Sequence, residues 1–282
     1  MTDPVLTAQE YGAFTRFIYE LTGIVLDETK AYLIETRLGG LLKSLGCGTY
    51  SELFYKVRND AGGTLKNAVI DRITTQETSF FRDQAPFEMF KYKILPDLID
   101  ARRRQYPGQP RVPLRIWSAA CATGQEIYSI VLALKDVLGD LSPYSLKILG
   151  TDISDAAVAK ASAGVYSAFE IERGLPAGLA GKHFLRDGDQ FRVTDELRAL
   201  VNFRKLNLHE DFAALGRWDV IFCRNVAIYF SEADKKNLFQ RLHAVLEHDG
   251  ALIIGSTESL LGICPSFEAR RYLRSVFYAK IP

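Results

Sequence analysis

The chain has 282 residues, 48% hydrophobic and 24% charged, which is ordinary for a globular protein and is enough for one large or two small domains. A formal net charge of +1 gives no overall argument for a nucleic-acid or membrane partner. Cys47, Cys121, Cys223 and Cys264 show no CxxC spacing, which argues against a zinc site or a disulfide framework and predicts reduced, mostly buried thiols.

The N-terminal sequence MTDPVLTAQEY has neither the basic nor the apolar region of a signal peptide. No window of the sequence approaches the roughly 18 apolar residues that a membrane span requires. We therefore expect a soluble, cytoplasmic protein that does not insert into a membrane.

The first part of the chain is predicted to be entirely helical. Thr7 and Glu10 have the spacing of a capping box at the start of a first helix. Apolar residues then recur at helical spacing through this helix and through three further stretches. With no strand to pair with, residues 1–75 are predicted to form a small helical domain.

A polar-aromatic segment, TTQETSFFRDQAPFEMF, begins at Thr74 and has no clean helical or strand period. A helix is predicted from about Ala85 to Arg104. It runs into RRRQYPGQPRVP, whose proline, glycine and arginine content indicates a loop at a domain junction.

From residue 111 the pattern changes to strands alternating with helices. LRIWSAA, SLKILGTDIS, VNFRKLNL, RWDVIFCRN and GALIIGST are apolar runs of strand length, and this alternation predicts a mostly parallel sheet covered on both faces. The final stretch, SFEARRYLRSVFYAKI, predicts an antiparallel hairpin that completes seven strands. Residues 164–193 carry several turn signals and are predicted to be an inserted antiparallel β-subdomain.

Small and polar residues follow the strands where a doubly wound sheet binds a nucleotide-like ligand. The loop SAACATGQE lets a ligand approach the backbone at a helix N-terminus, but neither GxGxxG nor GxxxxGK[ST] is present, which disfavours a pyrophosphate. Asp152, after the second strand, is placed either to accept hydrogen bonds from ribose hydroxyls or to cap the next helix. Asn207 and Leu208 offer an amide and an apolar slot for adenine. A ligand with adenosine but no pyrophosphate, in a sheet that ends in an antiparallel hairpin, points to S-adenosylmethionine.

Six motifs in order, TTQETSFFRD, SAACATGQEIYS, GTDIS, LNL, DVIFCRNVAIYF and GSTESL, together resemble the CheR family of chemotaxis receptor methyltransferases over nearly the whole chain. The resemblance implies S-adenosylmethionine-dependent methyl esterification of glutamate side chains on methyl-accepting chemotaxis proteins. It implies a Rossmann-like class I methyltransferase fold at 111–282, with the insertion at 164–193, the helical domain at 1–75, and a cofactor-lining segment and linker helix at 76–110.

The resemblance also assigns site residues. The segment QETSFFR is implied to fold over the cofactor, with the Arg82 guanidinium suited to the methionine carboxylate. Glu126 matches an acid that holds the ribose hydroxyls or the methionyl amine, and Tyr229 matches an aromatic near the transferred methyl. Arg82 and Tyr229 are the expected catalytic residues, no metal is expected, and the expected cofactor contacts are Gln76, Thr78, Arg82, Glu126, Asp152, Asn207, Leu208, Arg224 and Asn225.

The implied reaction fits the absence of an obvious catalytic triad in the sequence. A glutamate carboxylate has a reference pKa of ~4.3 and is already ionised at neutral pH, so no general base is needed. The four histidines are expected to be surface or structural residues. The enzyme must instead position the reactants, which can contribute roughly 7–11 kcal/mol.

The expected partners are the acidic helical cytoplasmic domains of the receptors. Lys30, Arg37 and Lys43 could form a basic docking stripe on the second helix, or simply a solvated helix face. The family's inserted β-subdomain can bind a receptor C-terminal peptide by strand addition. A monomer that binds no nucleic acid is expected. The alternatives are methylation of another acceptor and a catalytically weak, cofactor-binding adaptor in a chemosensory complex.

Overall fold

The N-terminal part of the computed structural model, which describes residues 4–281, is helical as predicted. It contains α1 (Ala8–Thr22), α2 (Ala31–Ser44), α3 (Tyr50–Arg58) and α4 (Thr64–Ile73). The predicted capping box is present, since Thr7 Oγ1 accepts from the Glu10 N–H and the Glu10 carboxylate accepts from the Thr7 N–H. The other Glu10 oxygen accepts from the Ser51 N–H at 2.7 Å, so this side chain also ties α1 to α3.

The predicted linker helix contains a π-helical turn. Segments α5 (Ala85–Met89) and α6 (Leu95–Gln105) are joined by the turn at Phe90–Ile94. The helix extends through the arginine-rich stretch, and its buried Arg102 donates from the guanidinium to the Asp219 carboxylate at 2.6 Å. The loop at the junction therefore begins only after Gln105.

The strands form one large and one small sheet within the described residues. They are β1 (Val112–Ala119), β2 (Tyr144–Asp152), β3 (Val165–Ser167), β4 (Phe184–Asp187), β5 (Gln190–Val193), β6 (Val201–Lys205), β7 (Trp218–Cys223), β8 (Leu246–Ile254), β9 (Phe267–Tyr272) and β10 (Ser275–Lys280). The large sheet has seven strands in the order β6-β2-β1-β7-β8-β10-β9. Its first five strands are parallel, and β10 is antiparallel to both neighbours. The predicted mostly parallel sheet with a terminal hairpin is confirmed.

Both faces of the large sheet are covered, because successive side chains of a strand point to opposite faces. Ile116 packs in one apolar cluster and its neighbour Trp117 in the other. The remaining α-helices are α7 (Gln125–Leu138), α8 (Asp155–Ala163), α9 (Ala168–Glu172), α10 (Leu179–His183), α11 (Asp195–Arg198) and α12 (Glu232–Val245). The first cluster contains residues of α5, α6 and α7, and the second contains residues of α12.

The predicted inserted β-subdomain is the small antiparallel sheet, in the order β3-β5-β4. It packs against residues 74–84, which connect α4 to α5 and are called the junction segment below. The fully buried Phe80 ring makes edge-to-face contacts with Tyr166 and Phe184 of this subdomain. Phe80 also belongs to the apolar cluster that lies between the large sheet and α5–α7.

A glycine in the insertion makes this contact possible. Gly174 has φ 103°, and a Cβ built there would lie 2.1 Å from the Phe80 carbonyl oxygen. We expect Gly174→Ala to lower the free energy of unfolding by about 2–5 kcal/mol, because alanine disfavours the left-handed backbone and its Cβ would clash with the Phe80 carbonyl oxygen. Urea unfolding would measure the loss of stability. Gly178→Ala is the matched control, because Gly178 has φ 83° but open space around its Cβ, and should lose only about 1–2 kcal/mol. Equal losses would show that the carbonyl contact has no effect.

None of the helices formed by residues 4–281 is both long enough and apolar enough to cross a lipid bilayer.

Candidate active site

A pocket lies at the carboxyl ends of β1, β2, β6 and β7, under the junction segment that follows α4. The residues predicted to form the site from separate motifs all line this one pocket: Gln76, Thr78, Arg82, Glu126, Asp152, Asn207, Leu208, Arg224, Asn225 and Tyr229. Parallel strands bring their carboxyl ends to one edge, which is why residues far apart in sequence meet here.

The loop after β1 is held in a strained backbone conformation. Ala120 and Ala122 have φ 59° and 47°, in the left-handed region that L-residues avoid. Gly124 has φ 96°, and a Cβ there would lie 2.9 Å from both the Ala161 Cβ and the Tyr166 hydroxyl. Packing therefore requires glycine at position 124, and residues 120–122 line the pocket.

Asp152 holds this loop from the neighbouring strand. Its side chain is buried, with one carboxylate oxygen accepting from the Ala122 N–H at 2.9 Å and the other from the Ser154 N–H at 3.0 Å. Burial raises the pKa of Asp152, although these N–H groups act in the opposite direction. The N-cap of α8 is Ser154, which accepts from the Ala157 N–H. Asp152 is therefore not the helix cap that the sequence also allowed.

Arg224 joins three segments of the pocket wall. Its guanidinium is buried and donates to the Glu126 carboxylate at 3.0 Å, to the Asp83 carboxylate at 2.9 Å and to the Arg82 carbonyl oxygen at 2.9 Å. The second Glu126 oxygen accepts from the Ser118 hydroxyl at 2.8 Å. The end of β7 is thereby tied to α7 and to the junction segment.

The junction segment presents polar atoms to the pocket. Gln76 donates from Nε2 to the Thr74 hydroxyl at 2.9 Å, while its Oε1 is buried without a hydrogen-bond partner among the described residues. Such an orphan acceptor calls for a donor from a ligand or water. Arg82 uses one of its five N–H donors on the Glu77 carbonyl oxygen.

The helical domain also contributes to the pocket, which the sequence did not predict. Thr22 and Ile24, at and just beyond the end of α1, are lining residues. Asn207 Nδ2 donates to the Leu21 carbonyl oxygen at 3.0 Å, and the Val25 N–H donates to the Tyr229 carbonyl oxygen at 2.9 Å. The amide predicted to serve adenine is thus also a tie between domains.

The basic residues of the predicted docking stripe are engaged in local contacts. Lys30 pairs with Asp27 at 2.9 Å. Arg37 donates to the Ile73 carbonyl oxygen and, at 3.1 Å, to the Thr75 hydroxyl. Arg37 therefore holds the start of the junction segment.

The sheet order, the antiparallel β10 and the strand-end pocket define a class I S-adenosylmethionine-dependent methyltransferase. Family comparison agrees with this class. The family described as "CheR methyltransferase, SAM binding domain" matches residues 76–272, and "CheR methyltransferase, all-alpha domain" matches residues 9–74. The chain belongs to the CheR methyltransferase family, and S-adenosylmethionine is its cofactor.

Curated relatives of similar length support this assignment. "Chemotaxis protein methyltransferase Cher2" of Pseudomonas putida is 36% identical over 95% of this chain and 97% of its own length. "Chemotaxis protein methyltransferase 1" of Pseudomonas aeruginosa is 38% identical over 89% and 90% of the two chains. "Chemotaxis protein methyltransferase 1" of Vibrio cholerae is 36% identical over 99% of both.

Proposed function

We propose that the protein is a protein-glutamate O-methyltransferase that esterifies glutamate side chains of methyl-accepting chemotaxis proteins in the cytoplasm. The observation that carries this proposal is family membership over both matched regions, together with one pocket that contains every predicted site residue. The alternative of a catalytically weak adaptor is not favoured, since the relatives are named as methyltransferases.

The donors and acceptors of the pocket fit the polar groups of S-adenosylmethionine. Its ribose hydroxyls and ammonium group need acceptors, which the carboxylates of Asp152 and Glu126 and the orphan Gln76 Oε1 supply. Its carboxylate needs a cation, which we assign to Arg82. The remaining proposed contacts are Thr78, Asn207, Leu208, Arg224 and Asn225.

The proposed reaction requires the protein to position the reactants and does not require it to transfer a proton. S-adenosylmethionine, when bound, supplies a methyl group on a sulfonium. The acceptor glutamate is ionised at neutral pH, so the pocket need only orient its carboxylate and remove water from it. Ile24, Val226 and Phe230 give apolar surface for that purpose. Tyr229 and Arg82 line the same pocket, and we assign them to orienting the acceptor.

Radiolabelled methyl transfer tests the proposal. Protein, labelled S-adenosylmethionine and receptor-containing membranes are incubated, and the product is hydrolysed in alkali. We expect receptor-dependent label that is released as methanol, because carboxyl esters are base-labile. Membranes without receptors are the control. Base-stable label would refute glutamate esterification. If the protein binds S-adenosylhomocysteine but transfers no methyl group, the result would support the alternative of a catalytically weak adaptor.

Arg82→Ala is expected to weaken binding of S-adenosylhomocysteine by roughly 10–100-fold, the effect of losing a charge-assisted hydrogen bond. Folding should be unaffected, because the half-buried Arg82 side chain makes a single hydrogen bond with the described residues, to the Glu77 carbonyl oxygen. Calorimetric titration measures the first effect and urea unfolding the second. Phe81→Ala is the contrasting variant. It removes a ring packed 5.2 Å from Phe87, so it should mainly lower stability, by about 2–3 kcal/mol.

The finer partner assignments are also proposals. In the small sheet β4 is an edge strand, and its Leu185 is half exposed, which suits strand addition by a receptor C-terminal peptide. We further propose that the protein acts as a monomer, which sedimentation analysis would check.

A further inference from the structure

Asn225 is a pocket residue with a left-handed backbone conformation. It follows β7 directly, lines the pocket and has φ 57°. Asparagine adopts this left-handed conformation more readily than most residues other than glycine. The position of the Asn225 side chain at the pocket then depends on the contacts that its backbone makes.

Glu258, in the loop after β8, makes the contact that holds it. One carboxylate oxygen, Oε2, accepts from the Asn225 N–H at 2.8 Å and from the Gly255 N–H at 2.7 Å. The other oxygen is buried without a hydrogen-bond partner among residues 4–281. Glu258 is not among the residues that line the pocket. Its carboxylate therefore reaches Asn225 from outside the pocket lining.

Gly255 packs tightly against both partners. A Cβ at Gly255 would lie 2.6 Å from Glu258 Oε2, 2.7 Å from Asn225 Nδ2 and 3.0 Å from the Asn225 backbone nitrogen. The absence of a side chain at Gly255 is thus what lets the carboxylate span the ends of β7 and β8. These three residues form one packed unit behind the pocket.

We propose that Glu258 is a positioning residue for cofactor binding: its carboxylate fixes the backbone and amide of Asn225 at the pocket wall. The sequence contains this residue within GSTESL, but its role depends on contacts between separate strands. The inference rests on the proposed function, because it takes Asn225 as part of the cofactor site.

The first test compares two substitutions by calorimetric titration with S-adenosylhomocysteine. Glu258→Ala removes the acceptor of both N–H groups and should weaken binding at least ~10-fold. Glu258→Gln keeps a carbonyl oxygen for those N–H groups and should stay within about 3-fold of the unmodified protein. Glu268→Ala, at an exposed position on β9, should have no effect. Unchanged binding by Glu258→Ala, or Glu258→Gln as weak as Glu258→Ala, would overturn the proposal.

A double-mutant cycle separates positioning from general destabilisation. Asn225→Gly accepts the left-handed conformation without strain and removes the side chain that Glu258 positions. In that background Glu258→Ala should weaken binding by less than about 3-fold, because the side chain that Glu258 positions toward the cofactor is already absent. Multiplicative effects of the two substitutions would refute the coupling.

Gly255→Ala provides a variant that keeps Glu258 itself. Its Cβ would displace the carboxylate, so we expect binding to weaken as in Glu258→Ala, and unchanged binding would count against the proposal. If the unmodified protein bound no S-adenosylhomocysteine, the proposed function itself would fail. That result is distinct from the one that would overturn the proposal about Glu258, in which the unmodified protein binds the ligand and Glu258→Ala binds it equally well.

Discussion

Asp152→Ala is expected to weaken binding of S-adenosylhomocysteine by about 100-fold or more. The substitution removes the carboxylate proposed for the ribose hydroxyls, and each hydrogen bond to a charged acceptor contributes about 1.5–3 kcal/mol. It also removes the acceptor of the Ala122 N–H, which releases the strained loop after β1. Calorimetric titration of folded protein is the measurement.

Asp155→Ala is the matched control for this prediction. Asp155 lies three residues away at the start of α8 and pairs with Lys205 at 2.6 Å on the surface. The Asp155→Ala variant should bind S-adenosylhomocysteine as tightly as the unmodified protein does. Asp152→Asn should fall between the two, because an amide oxygen still accepts hydrogen bonds but without charge. Normal binding by Asp152→Ala would remove Asp152 from the proposed site.

Arg224→Ala is expected to lower the free energy of unfolding by about 3–5 kcal/mol, because removing one partner of a buried ion pair leaves an uncompensated charge. The Arg224 side chain is 1% exposed, and its loss leaves the Glu126 carboxylate, which is 11% exposed, without its cationic partner. It also removes the contact with the Phe87 ring, 5.7 Å from the guanidinium carbon. Urea unfolding measures the change.

Two comparisons make this prediction specific. Arg270→Ala breaks a pair whose side chains are 51% and 52% exposed, and exposed pairs contribute only about 0–1 kcal/mol. Arg224→Lys keeps the charge but not the planar fork that reaches three acceptors, so an intermediate loss is expected. A loss from Arg224→Ala as small as that from Arg270→Ala would contradict the structural role.

The large sheet, and the pocket at the carboxyl ends of its parallel strands, could be predicted because they depend on local sequence patterns. Apolar runs between helical stretches predicted the strands, and the parallel arrangement then predicted that residues after β1, β2, β6 and β7 would meet. The capping box at Thr7 is likewise a local signal, and it is present. The domain boundaries at 75 and 110 stay predictions.

What the sequence did not reveal depends on contacts between distant segments. Thr22 and Ile24 reach the pocket only because the helical domain docks on Tyr229 and Asn207, and nothing near residue 22 signals this. The contact of Phe80 with the insertion depends on Gly174, about a hundred residues later. Glu258 appears in a quoted motif, yet an acid in a loop has no visible partner until the strands are arranged.

The contribution of α1 to the pocket wall has a consequence for how the protein responds to its supply of methyl donor. If S-adenosylmethionine binds in this pocket as proposed, it favours the docked arrangement of the two domains, and docking favours binding by the same free energy. Substitutions in α1 that weaken docking would then raise the donor concentration needed for half-saturation, even at positions that make no contact with the donor. The metabolic sensitivity of the enzyme would thus be adjustable from a domain that contains none of the sheet.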